Sequence, residues 1–214
     1  EKIRELCGTG ASSFITEISS GIVLIIFNMV ILELKGNIGV AAYGVVANLA
    51  LVVIAVFTGV AQGIQPLVSK SYGSKDKEQL YYILKYSLIL SVVIAVVIYG
   101  VVLSSADTLV SIFNKKENKE LALLAINGLH IYFTGFIFAG INIVSAVFFS
   151  SIEHSKTGFL ISIVRGFVAI IPSVWILAHI FGMTGVWLSF PTAETFAAIL
   201  VLYFMFNNRK LFKK

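Results

Sequence analysis

The sequence predicts an all-α, polytopic membrane protein: six transmembrane helices in one bundle that takes in the whole chain, residues 1–214. Of its 214 residues, 58% are hydrophobic and only 13% are charged. That is about half the charged share of a soluble globular chain, too little to cover a water-facing surface with solvated groups. The same composition excludes disorder, which needs low hydrophobicity and high charge. The apolar residues also gather into stretches of about 20 or more, the length at which a helix crosses a bilayer.

Charges, glycines and turn residues cut the chain into spans at 11–32, 40–68, 80–103, 121–149, 159–181 and 184–206. Glu33, Lys35 and Gly36 separate the first two spans, and 72–78, 114–120 and 153–158 form the next three breaks. Between the fifth and sixth spans stand only Gly182 and Met183, so that turn must be tight. Residues 104–113, with Ser104, Ser105 and Asp107 before a short apolar run, read as an interfacial segment rather than a seventh span.

Cytoplasmic loops collect Lys and Arg, which orients the bundle. Lys2, Arg4, Lys70, Lys75, Lys77, Lys156 and the four basic residues of 209–214 fall on one side; Lys35, Lys115, Lys116 and Lys119 fall on the other. Both ends of the segment are therefore expected in the cytoplasm, in a multi-pass protein of the inner or plasma membrane. The net charge of +5 belongs to these loops and not to one basic face, which argues against a nucleic-acid partner. Cys7 is the single cysteine, so no intrachain disulfide or thiolate cluster forms. The first apolar run is longer than the core of a signal peptide. The chain opens on Glu1 rather than Met, which suggests a fragment of a longer protein.

Helices that touch only lipid need no polar residues, so polar groups at helical spacing mark faces that meet water, ligand or another helix. Ser13, Glu17, Ser20 and Asn28 make such a face in the first span. In the second it runs through Asn48, Thr58, Gln62, Gln65 and Ser69, with GxxxG spacing from Gly59 to Gly63. Asn127, Thr134, Asn142 and Ser145 mark the fourth span, and Ser162, Arg165 and Ser173 the fifth. The third span is mostly Ile, Leu and Val, a scaffold against lipid. Each amide or hydroxyl is open to a plainer reading as an interhelical hydrogen bond of about 0.6 kcal/mol; together they suggest a hydrated interior. For the GxxxG pair, close helix packing is the simpler account.

Ionisable groups carry more information, because a charge near the bilayer centre costs roughly 2.5–3.5 kcal/mol. Glu17 lies about two turns inside the first span, a setting that suits a carboxylate that takes and releases a proton or binds a small cation. Glu194 lies near the middle of the sixth span. Arg165 is at similar depth in the fifth, so the two form a candidate ion pair. Pro66, Pro172 and Pro191 each remove a backbone hydrogen bond in or near a span. No HExxH, P-loop, GxSxG or GxGxxG motif is present, and His130, His154 and His179 have no metal-ligand spacing. No enzyme, metal site or cofactor is expected.

Several of these runs resemble the multidrug and toxic compound extrusion (MATE) transporters. Ile38-Gly39-Val40-Ala41-Ala42-Tyr43-Gly44-Val45, then Gly59-Val60-Ala61-Gln62-Gly63-Ile64-Gln65-Pro66-Leu67-Val68-Ser69, then Tyr72-Gly73, are similar to the second span and following loop of one lobe of that family. Gly140-Ile141-Asn142, Ser162 to Arg165, and Gly185-Val186-Trp187-Leu188 with Pro191 and Glu194 are similar to the later part of its C-terminal lobe. The resemblance implies the second half of a twelve-helix transporter, helices seven to twelve, with an N-terminal six-helix lobe as partner. It implies an antiporter that exports small cationic amphipathic compounds by alternating access, driven by Na⁺ or H⁺. Glu17, after Gly10-Ala11-Ser12-Ser13-Phe14, stands where the family has a coupling acid. Several members also carry an Asp in the fourth helix of this lobe. Here 121–150 has no carboxylate, and Asn142 is the nearest polar residue.

The leading expectation is therefore half of a cation-coupled efflux pump, with Glu17 as coupling carboxylate and Asn48, Gln62, Gln65 and Asn142 lining the cavity. A flippase for lipid-linked precursors is the nearest alternative; its diphosphate needs a strongly cationic cavity, and Arg165 alone supplies little of one. An intramembrane acid catalyst using Glu17 or Glu194 needs a second group at matching depth. A non-transport assembly subunit would show no cavity against a partner.

Overall fold

The computed structural model describes residues 21–115, 117–152 and 154–208 in full and only the helical backbone of 2–20, all helix and connecting turn. Helix α1 (Lys2–Gly73) is followed by α2 (Lys77–Phe113) and α3 (Lys119–Tyr132). A 3-10 turn, Phe133–Gly135, joins α3 to α4 (Phe136–Ser151). After α5 (Ser155–Ile163), a π-helical segment, Val164–Val168, leads into α6 (Ile170–Phe181), and α7 (Met183–Asn207) closes the described chain. Helix is the natural outcome, since hydrocarbon offers no partner to a free N–H or C=O and a helix satisfies both internally.

Among the described residues five helices are long and apolar enough to cross a membrane, one fewer than the sequence predicts. The difference lies in α1, where the two expected spans run together with Gly36 as the one non-helical residue (φ 61°, ψ −155°). The chain nevertheless turns back there. Phe27 and Tyr43 stack with ring centroids 5.1 Å apart, although 16 residues of straight helix would separate them by about 24 Å. Five helices thus supply six legs, and the expected loop at 33–37 shrinks to one residue. The hairpin between α6 and α7 uses the same device at Gly182 (φ 59°, ψ −135°). Helix α2 bends at Ser105 (φ −131°, ψ 18°), setting off the short tail in which the sequence places an interfacial segment.

Two of the remaining turns are held by side chains. Asp76 caps α2 by accepting from the Gln79 N–H at 2.9 Å, and Asn118 caps α3 by accepting from Leu121 at 3.1 Å. The centre of the bundle is the α3–α4 leg, which packs against α1, α2 and α7. Phe27, Ile31, Val46, Phe57, Phe133, Phe136 and Trp187 are buried in the main core. A second cluster, with Val68, Leu84, Phe148, Phe149, Ile161 and Val201, fills the end of the bundle near the 73–77 and 151–155 turns. Helix α2, with Ile89, Leu90, Val93, Val96, Val97 and Val101 exposed, has the lipid-facing character expected of the third span.

Both reversal glycines occupy a backbone region that side-chain-bearing residues enter only at a cost of about 1–3 kcal/mol, and a Cβ at either position would meet open space. Gly36→Ala and Gly182→Ala should therefore each lower unfolding stability by that amount through backbone strain alone. Thermal unfolding in detergent tests this; a Gly36→Ala protein as stable as the parent would show that the hairpin tolerates an ordinary conformation.

Candidate functional site

The most constrained polar feature is built where three helix irregularities meet. Pro172 has no N–H for the Val168 carbonyl and its ring crowds that oxygen. The turn before it is widened to π geometry, with Ala169 N–H donating to Val164 O at 2.8 Å. This segment carries Arg165. On α7, Pro191 sits one turn before Glu194 within a continuous helix. The 3-10 turn at 133–135 lies between Tyr132, which stacks on Phe190 at 4.2 Å and 6°, and Phe136, also beside Phe190.

Arg165 and Glu194 form an ion pair, Nη2 to Oε1 at 2.6 Å, and Arg165 Nε donates to the same oxygen at 3.1 Å. Glu194 is 2% exposed against 19% for Arg165. The other side of the carboxylate is held by Asn142, whose Nδ2 donates to Glu194 Oε2 at 2.7 Å and to the Glu194 backbone carbonyl at 2.9 Å. One amide thus ties α4 to both the side chain and the main chain of α7. Asn142 Oδ1 is buried without a hydrogen-bond partner, as is Ser145 Oγ one turn further along α4. Tyr132 on α3 lies within electrostatic reach of both charges, and Tyr43 on α1 stands behind it.

The residues named from sequence separate into three groups. Glu17 lies outside the described residues. Asn48, Gln62 and Gln65 lie on an exposed stretch of α1; Asn48 Nδ2 donates back to Gly44 O at 2.7 Å. Asn142 departs from the expectation of a cavity-lining amide: it is fully buried in this lobe and its N–H groups are committed to Glu194. Arg165 and Glu194 are brought together. His130, half-buried, has Nε2 without a partner, and its carbonyl accepts from the Tyr99 hydroxyl at 3.2 Å. The link from Asn142 to Glu194 and the flanking tyrosines escape the sequence reading, although the similar depth of positions 142 and 194 is a signal for the first.

No group of three His, Cys, Asp or Glu among the described residues is arranged to hold a metal ion. The cluster's oxygens suit hard cations rather than transition metals. A cavity of about 760 Å³ lies apart from the cluster, between the end of α1 and the start of α2, lined by Ile64, Leu67, Asp76, Tyr82 and Tyr86.

A multi-pass helical bundle with a buried, self-compensated ion pair and exposed amides on an apolar helix is the architecture of a polytopic membrane protein. The MatE family profile matches residues 13–176, and the chain belongs to that family. Multidrug export protein MepA of Staphylococcus haemolyticus is 25% identical over 207 residues, 97% of this chain and 45% of the relative. MepA of Staphylococcus saprophyticus is 26% identical over 208 residues, 96% of this chain and 45% of its own. The chain thus spans about half the length of the curated relatives it matches. An inward-facing multidrug resistance MATE family transporter of the MOP superfamily shares the fold with a TM-score of 0.90 at 19% identity, over 98% of this chain and 48% of that one. The Vibrio cholerae MATE transporter VcmN in its bent form aligns over 95% of this chain and 47% of its own, with a TM-score of 0.84 at 14% identity.

Removing one partner of a buried ion pair costs about 3–5 kcal/mol, whereas replacing both with apolar groups of similar volume is often neutral. Arg165→Met should therefore destabilise strongly, and Arg165→Met/Glu194→Gln should recover much of the loss. A double-mutant cycle on unfolding in detergent measures the coupling; additive single and double effects would show that the pair does not hold the π segment and α7 together.

Proposed function

We propose that the chain is the C-terminal lobe, helices seven to twelve, of a cation-coupled multidrug efflux antiporter that exports small cationic amphipathic compounds across the plasma membrane by alternating access. The observation that carries this reading is the exposed polar stretch of α1. Asn48, Gln62 and Gln65 lie exposed within a segment long and apolar enough to span a bilayer, where hydrocarbon is a poor neighbour for amides. A partner lobe and a water-filled cavity between the two would solvate them. The length of the relatives, about twice that of this chain, leaves room for such a lobe. The relatives' multidrug export supports the substrate class, and both ends of the segment are assigned to the cytoplasm from the distribution of Lys and Arg.

Glu17 is assigned the coupling role, taking Na⁺ or H⁺, and Asn48, Gln62 and Gln65 the cavity wall. Efflux of a fluorescent organic cation from cells carrying the full-length transporter tests both. Glu17→Gln should abolish most ion-gradient-driven efflux, and unchanged efflux with unchanged ion dependence would remove Glu17 from the mechanism. Gln62→Leu and Gln65→Leu should lower efflux severalfold while leaving thermal stability within about 0.5 kcal/mol, because exposed side chains contribute little to the fold. A stability loss as large as that of a core substitution would instead place these amides in a packed interface.

A further inference from the structure

We propose that the groove between α2 and α7, near the 73–77 turn, binds an anionic phospholipid, with Lys85 on its phosphate and Leu84, Leu88 and Met205 against an acyl chain. Lys85 is the only charged residue between 80 and 103. It lies eight residues along α2 from Lys77, about 12 Å at 1.5 Å per residue. Its side chain is exposed and makes no ion pair or hydrogen bond among the described residues.

The aromatic residues around it fix its depth. Tyr81, Tyr82 and Tyr86 on α2 are exposed, and so are Tyr203 and Phe206 on α7. Tyr82 packs edge-on against Tyr81 at 5.7 Å and stacks on Tyr86 at 6.0 Å. Exposed tyrosines of membrane helices gather where acyl chains give way to headgroups, so Lys85 stands at the level of the lipid phosphates. An ammonium there meets lipid oxygens while its stem lies along hydrocarbon.

A groove is built beside this lysine. Tyr81, Leu84, Lys85 and Leu88 line it from α2 and Met205 from α7, around a cavity of about 320 Å³. Leu84 is buried in the second hydrophobic cluster, and Leu88 and Met205 pack against that cluster, so the walls are fixed by the fold. The volume is at the small end for a ligand pocket, which suits part of one acyl chain rather than a whole lipid. An ammonium beside leucine and methionine walls matches the junction between a lipid's phosphate and its chain.

Charge selects the lipid. Lys77, Tyr81, Leu84, Lys85 and Leu88 recur at the spacing of one helical stripe along α2, so a second lysine lies on the aqueous side of the tyrosines. Lys70 and Lys75 are exposed at the same end, and the sequence after α7 continues with Arg209, Lys210, Lys213 and Lys214. The acids nearby, Asp76 and Glu78, line a different cavity, the one between the end of α1 and the start of α2. The excess of lysines favours a lipid of net negative charge over a zwitterionic one, whose amine they would repel. Such a site requires a membrane-spanning lobe and no particular transported substrate.

Native mass spectrometry and thermal unfolding of the full-length protein in detergent test this, with phosphatidylglycerol and phosphatidylcholine of identical chains as probes. Wild type should bind phosphatidylglycerol several-fold more tightly, with a matching rise in unfolding temperature. Lys85→Gln should reduce that preference about fivefold, the effect of one basic residue at a membrane surface, and leave unfolding in lipid-free detergent unchanged. Lys85→Arg should retain the preference. Glycerol phosphate, which has the charge and no chains, should not displace the lipid. Equal binding of the two lipids by wild type overturns the proposal, as does a Lys85→Gln protein that keeps the full preference or displacement by glycerol phosphate. A loss in Lys70→Gln as large as that in Lys85→Gln also overturns it, because the lysines would then act as a diffuse field and not through the groove.

Discussion

Hydrocarbon supplies no hydrogen bonds, and this deficit governs the fold. Every backbone group within the membrane must be satisfied by its own helix, so connections within the lobe are short. Two reversals are made at a single residue, Gly36 and Gly182, each with positive φ. Longer connections appear at 74–76 and 114–118, where Asp76, Asn114 and Asn118 hydrogen-bond the backbone around the helix starts. Ser87, Ser91 and Ser151 turn their hydroxyls back to carbonyls of their own helix. The same rule makes a bare carboxylate untenable, and Glu194 is held by a guanidinium on one side and an amide on the other.

Hydropathy made the span positions legible, and depth along the spans made the Arg165–Glu194 pair legible. Both depend only on counting residues at a fixed rise. The side of each helix was harder to read, because it depends on phase. Asn127, Thr134, Asn142 and Ser145 look like one stripe when 3.6 residues per turn is extended through the whole fourth span. The structure interrupts that span with a 3-10 turn at Phe133–Gly135, which adds about 20° of rotation per residue. Asn127 is exposed, while Asn142 and Ser145 are buried. The stripe therefore splits, and Asn142 turns inward to Glu194. In the first two spans the hydropathy signal was sound, but the charged residues at 33–37 suggested a loop that one glycine replaces.

The exposed amides of α1 and the buried network of α4, the π segment and α7 are two different kinds of intramembrane polarity. Amides on an exposed face are uncharged, so they can exchange water, ligand or a neighbouring helix at small cost, about 0.6 kcal/mol per hydrogen bond. A surface that must repeatedly change partners is well made from such groups. The network is the opposite case: separating its charges costs several kcal/mol, which keeps the π segment and α4 registered against α7.

On the proposed alternating-access reading, a lobe that moves against a partner as a unit gains from that division. Its interior has to stay compensated in every state, since an internal charge left unpaired at any stage would add its burial penalty to the barrier. Arg165 and Glu194 cancel within one lobe, so rigid-body displacement of the lobe leaves their interaction unchanged. A carboxylate that exchanges ions must instead stand where its surroundings change between states. Within this chain that requirement separates a self-paired Glu194, buried among α4, the π segment and α7, from the amide-bearing face of α1, and on the proposed reading it favours placing exchange on the exposed face.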